Sequence, residues 1–179
     1  MMKRATWLAA ILLLSAGILL AGPDEPQTAE AELRNANGET VGTATLTEVP
    51  EGVKIRLEVS NLSPGMHAFH IHAVGQCDPP DFKSAGGHFN PEGKKHGLKN
   101  PDGPHAGDME NFEVGADGTA QVEVMNTRVT LGEGGNSVFQ PGGTAFVVHE
   151  KADDEVSDPA GNAGSRVACG VIEKAEDAD

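Results

Sequence analysis

Val53-Lys54-Ile55-Arg56-Leu57-Glu58-Val59 alternates apolar and charged residues without a break. Successive side chains of an extended strand point to opposite faces. Val53, Ile55, Leu57 and Val59 therefore share one face, and Lys54, Arg56 and Glu58 the other. Such a strand lays one face on a core and the other in water, as antiparallel sheets do. Outward from it, alanine-rich alternation over 28–35 and 40–48 flanks Asn37-Gly38, a tight-hairpin signal. Further strands are expected at 67–73, 111–115, 119–127, 144–149 and 166–172, with Asp117-Gly118 marking another tight turn. Eight candidate strands and no amphipathic helix of three turns predict an all-β antiparallel sandwich or barrel. Residues 74–110 and 151–165 carry no strand pattern, and long loops inside a compact domain are usually functional.

The 179 residues fit one domain large enough to bury a core. Lys3 and Arg4 precede an apolar run from Trp7 to Leu20, followed by Ala21-Gly22-Pro23. A basic head, a short apolar stretch and a small-residue exit describe a secretory signal over 1–22. The competing reading is an uncleaved membrane anchor, for which the run is short against a span of about 20 residues. A polar leader follows at 23–27, then the domain proper at 28–175 and an acidic tail at 176–179. The net charge of −14 becomes two units more negative once Lys3 and Arg4 are removed. Nucleic acid and anionic membrane surfaces are thereby excluded as partners, since both demand a basic face. An even pair of cysteines, Cys77 and Cys169, reads as a disulfide in an exported protein.

All seven histidines lie between residues 67 and 149. In His67-Ala68-Phe69-His70-Ile71-His72, a strand places His70 and His72 on one face and Phe69 and Ile71 on the other. Two imidazoles on a rigid face make half of a metal site, and a planar nitrogen set favours Cu(II). His149, ending the apolar run 144–148, is a candidate to complete it. His88, His96, His105 and Asp108 follow one another in the Gly- and Pro-rich loop. Three imidazoles and a carboxylate make a closed four-coordinate site of the kind that holds structural zinc. The alternatives for these residues are a solvated polar strand face and a flexible polar loop.

Together these motifs resemble the copper/zinc superoxide dismutase family. The resemblance is carried by His67-x2-His70-x-His72, by Gly87-His88-Phe89-Asn90-Pro91, and by His96, His105 and Asp108. It continues through Val148-His149-Glu150-Lys151-Ala152-Asp153-Asp154 and Gly161-Asn162-Ala163-Gly164-Ser165-Arg166-Val167-Ala168-Cys169-Gly170, spanning roughly 28–173. It implies an eight-stranded Greek-key sandwich or barrel with two long functional loops. It implies copper held by His70, His72, His88 and His149, and zinc held by His88, His96, His105 and Asp108, with His88 bridging both ions. Asp153 would link a copper-side ring to a zinc-side ring as an outer carboxylate, and His67 would be structural rather than a ligand. Arg166 and His88 would be the catalytic residues, one docking the anion and the other exchanging a proton. The Cys77–Cys169 disulfide would hold the loop of Arg166.

The activity so implied is disproportionation of superoxide to oxygen and hydrogen peroxide by copper alternating between Cu(II) and Cu(I). The resemblance places that activity in the periplasm or another extracytoplasmic space, as protection against oxidative damage. Superoxide is then the partner; no stable protein partner is evident, and a homodimer stays open. Lys83, Lys94, Lys95 and Lys99 cluster in the metal loop and are candidates to steer the anion, whereas the loop from Asp153 to Arg166 is short, acidic and without lysine. A metal-storage domain would lack copper ligands or the arginine, and a zinc hydrolase needs an open zinc position that the set at 88–108 does not leave.

Overall fold

The computed structural model describes residues 27–175. The signal at 1–22, nearly all of the leader at 23–27 and the tail at 176–179 lie outside the described residues. The chain forms β1 (Thr28–Asn35), β2 (Thr40–Val49), β3 (Gly52–Val59), β4 (Gly65–His67) and β5 (Phe69–His72), then β6 (Phe112–Val114), β7 (Ala120–Asn126), β8 (Ala145–His149), β9 (Arg166–Val171) and β10 (Glu173–Lys174). Each of the eight expected strand positions holds a strand. Among the described residues the count rises to ten because 67–73 divides at Ala68 and a two-residue strand follows 166–172. Ala68 takes its backbone bonds from outside the strand pairing: its N–H donates to Lys151, and its carbonyl accepts from His149.

All strand pairs are antiparallel, in the order β5-β8-β9-β1-β2-β3-β7, with β10 beside β1 and a separate β4–β6 pair. Strands distant in sequence become neighbours, β3 beside β7 and β1 beside β9, as a Greek-key sandwich requires. One buried cluster joins Leu33, Leu46, Ile55 and Leu57 of the β1–β3 side to Phe69, Ile71, Phe146 and Val148 of the β5–β8 side. β3 buries Val53, Ile55, Leu57 and Val59, as its alternation dictates.

β5 and β8, which carry His70, His72 and His149, are buried on both faces. β5 turns Phe69 and Ile71 into the main core, while His70 and His72 lie beneath the long loops. β8 pairs with β5, opposing Phe69 with Val148 and Ile71 with Phe146. Its alternate residues Ala145 and Val147 pack with Phe82, Ala85 and Cys169 in a second, smaller cluster under the loop that follows β5. That loop is laced to β5 by backbone bonds: Phe89 N–H to Ile71, Gly107 N–H to Phe89, and Ile71 N–H to Gly107. The Cys77–Cys169 disulfide is formed, tying the loop to β9.

Candidate metal centre

His70 and His72 stand on β5, His149 ends β8, and His88 reaches them from the loop through an isolated bridge to His72. The ligand atoms of His70, His72, His88 and His149 lie within 4.8 Å of one another, and those of His88, His96, His105 and Asp108 form a second such group. His88 belongs to both. Asp108 Oδ1 stands 2.8 Å from His88 Nδ1, 3.1 Å from His96 Nδ1 and 3.3 Å from His105 Nδ1. Its other oxygen accepts the N–H groups of Gly97 and His105. The first group has Nδ1 of His70, Nε2 of His72, Nε2 of His88 and both nitrogens of His149 buried without hydrogen-bond partners.

Buried nitrogens left unpaired are costly unless something absent from the chain binds them. An all-imidazole set around one point suits copper, and three imidazoles with a carboxylate suit zinc. Both donor sets therefore fit the ions in question.

The remaining nitrogens fix the rings. Asp153 Oδ2 meets His70 Nε2 at 2.8 Å, and the same carboxylate meets His96 Nε2 at 2.9 Å. The link from the copper side thus runs through His70, while His72 Nδ1 donates to the Gly86 carbonyl. Outer partners of this kind set tautomer and ring orientation. No side chain fits at Gly161, where a Cβ would lie 1.6 Å from Asp153 Oδ1. His67 stands outside both groups, donating from Nδ1 to the His149 carbonyl at 2.7 Å.

Electrostatics separate the two halves. Burial, reinforced by neighbouring His70, His88 and Arg166, pushes His149 down to about 3. Burial likewise takes His88 to about 4 against the pull of Asp108, and holds His72 well below the usual histidine range. These rings are neutral at pH 7, the form that binds metal. On the zinc side burial again opposes charge most strongly. Hydrogen bonds donated by the ring to Asp108 and Asp153 outweigh it and lift His96 to about 9. Burial acts against both carboxylates as well, but ring hydrogen bonds hold Asp108 and Asp153 far below the carboxylate range.

Arg166 is half-buried beside the copper-side rings, and its positive charge depresses both His72 and His149. Its guanidinium donates to the carbonyls of Phe82 (2.7 Å) and Gly86 (2.6 Å). Those acceptors carry no side-chain signature, so sequence reading does not find them. The same holds for Asn111, which accepts the Asp153 N–H and donates to the Asp153 carbonyl.

The candidate steering lysines are each matched to an acid. Lys83 meets Asp81 at 2.7 Å, Lys94 meets Glu92 at 3.9 Å, Lys95 meets Asp158 at 2.9 Å, and Lys99 meets Glu155. Two of these acids come from the lysine-free loop after Asp153. That loop grips the zinc-side loop, and Asp158 also accepts the His96 N–H.

An antiparallel β-sandwich carrying two adjoining groups of buried metal-ligating side chains that share His88 defines the class. The family model for copper/zinc superoxide dismutase (SODC) matches residues 40–172. The chain is 58% identical over 144 residues to Superoxide dismutase [Cu-Zn] 1 of Aquifex aeolicus (strain VF5), covering 79% of this chain and 85% of that one. It is 53% identical over 167 residues to Superoxide dismutase [Cu-Zn] 2 of the same organism, covering 92% and 98%. A solved SOD-like protein from Bacillus subtilis superposes with a TM-score of 0.77 at 41% identity, covering 79% of this chain and 96% of that one. The chain belongs to the copper/zinc superoxide dismutase family.

Proposed function

We propose that this chain is a copper- and zinc-dependent superoxide dismutase, converting two superoxide anions and two protons into oxygen and hydrogen peroxide. The observation that carries the reading is His88, whose two ring nitrogens face two separate donor groups. Copper would be held by His70 Nδ1, His72 Nε2, His88 Nε2 and a ring nitrogen of His149, and zinc by His88, His96, His105 and Asp108. When bound, copper supplies a one-electron couple that oxidises one superoxide and reduces the next, while zinc supplies a fixed charge without redox chemistry.

The chain's own groups do the rest. Arg166, always charged and presenting paired donors, docks the anion, with its fork aimed by the Phe82 and Gly86 carbonyls. With its Nδ1 taken by zinc, His88 would hold a proton at Nε2 when that nitrogen is free and hand it to the departing peroxide. Its Nδ1 side keeps the ring in place. Asp153 fixes His70 and His96 together, so the two half-sites hold one geometry. The formed disulfide supports an oxidising, extracytoplasmic location. We infer a domain over 28–175 exported by the segment at 1–22.

The test is metal analysis of purified protein with a superoxide assay, on wild type and His149→Ala. The variant should lose copper and all measurable turnover while keeping about one zinc per chain. Full activity in the variant would remove His149 from the copper site.

A further inference from the structure

The turn His105-Ala106-Gly107-Asp108 carries two of the four zinc-side ligands, and every carbonyl in it is held from outside. Arg128 donates from Nε to His105 (3.3 Å) and from a terminal nitrogen to Asp108 (2.5 Å). Asn126, fully buried, donates to Ala106 (2.9 Å), and the Ile71 N–H donates to Gly107 (3.0 Å). The turn lies hard against β5, because a Cβ at Gly107 would stand 2.2 Å from the Ile71 carbonyl. Arg128 is itself anchored: its N–H donates to Asn126 Oδ1, and its carbonyl accepts from Asn136. Its half-buried guanidinium is directed at backbone carbonyls across the turn, and the Asp108 charge favours its ionised form against burial.

We propose that Arg128 is a positioning residue of the zinc half-site, its fork holding the 105–108 turn so that His105 and Asp108 converge before zinc arrives. A planar fork can grip two carbonyls at fixed separation; the single ammonium of lysine on a flexible stem cannot. The role is distinct from ligation, since Arg128 reaches only main-chain oxygens. It rests on the assignment of His105 and Asp108 as zinc ligands, and the experiment separates the two claims.

Full-length protein loaded with zinc is challenged with a chelating dye, for wild type, Arg128→Met, Arg128→Lys and Asp108→Ala. Zinc is also replaced by cobalt, and the visible spectrum of the site is recorded. Arg128→Met should weaken zinc binding about 10- to 100-fold, the range found when outer-shell partners are removed. Its cobalt bands should shift, which general destabilisation alone would not cause in protein that remains folded. Arg128→Lys should recover only part of the loss, and it serves as the folded variant if Arg128→Met does not fold. Wild-type affinity and an unchanged cobalt spectrum in Arg128→Met, or full recovery in Arg128→Lys, would overturn the proposal while Asp108→Ala still loses zinc. Wild-type zinc affinity in Asp108→Ala would overturn the ligand assignment itself.

Discussion

His96 is wholly buried between two carboxylates, Asp108 on its Nδ1 side and Asp153 on its Nε2 side. Its pKa of about 9 in the folded chain stands above the 6.5 of a free histidine, so the metal-free ring is charged at pH 7. A raised histidine pKa stabilises the fold fully below about 6.5, and that contribution is lost as pH rises through about 9. Zinc bound at Nδ1, as proposed, would displace that proton. Zinc uptake by copper-free protein at pH 7 is therefore expected to release about one proton, vanishing above about pH 9. Calorimetry in buffers of different ionisation heat reads the number, and zero release at pH 7 contradicts the charged ring. At this scale the sequence shows the histidines, because HxH spacing on a strand and an acid beside spaced imidazoles are side-chain signals. It hides Phe82 and Gly86, which act through their own carbonyls, and Asn126 and Arg128, whose side chains grip main-chain carbonyls that only folding brings near.

β5 and β8 form the floor of the site, and each is buried on both faces. Phe146 of β8 stacks on Phe69 of β5 at 6.0 Å, and Phe69 meets Phe112 edge-on at 5.4 Å. The rings under the histidines are thus one packed unit. Replacing Phe146 by Ala should cost about 3–5 kcal/mol in denaturant unfolding, the range for a buried aromatic truncation. Met125→Ala on the exposed side of β7 should change stability by less than about 0.5 kcal/mol. A loss below about 1 kcal/mol at Phe146 would show that the floor is not packed as described. Alternation makes β3 readable residue by residue. The break at Ala68 is not readable, since it arises from bonds to Lys151 and His149, about eighty positions away. Nor is the phase change in β2, where Leu33 pairs with Gly42 but Arg34 with Thr40, so that Val41 is skipped.

The whole molecule repels the anion it consumes, carrying a net charge of −14. Attraction must therefore be local, in the field of Arg166 and the bound ions. The metal-loop lysines stand as ion pairs, which at an exposed rim contribute little net field. Replacing Lys94 and Glu92 together by Gln should leave the second-order rate and its dependence on ionic strength within about twofold of wild type. Arg166→Met should lower the rate about a hundredfold, as removal of a preorganised donor to a reacting anion does. Stopped-flow rates across a salt series decide it, and a large fall in the Lys94/Glu92 double variant would restore the lysines to steering. The disulfide closes a separation of 92 residues, worth about 4–5 kcal/mol in the chain-entropy model. It thereby ties the loop supplying the Phe82 and Gly86 acceptors to the strand of Arg166.

The most direct measurement is a crystal structure of fully loaded protein, with anomalous maps collected at the copper and zinc absorption edges. The expected maps show copper on Nε2 and zinc on Nδ1 of the same His88 ring. Peaks on separate ligands, with His88 bound to one ion or to neither, would contradict the fused centre.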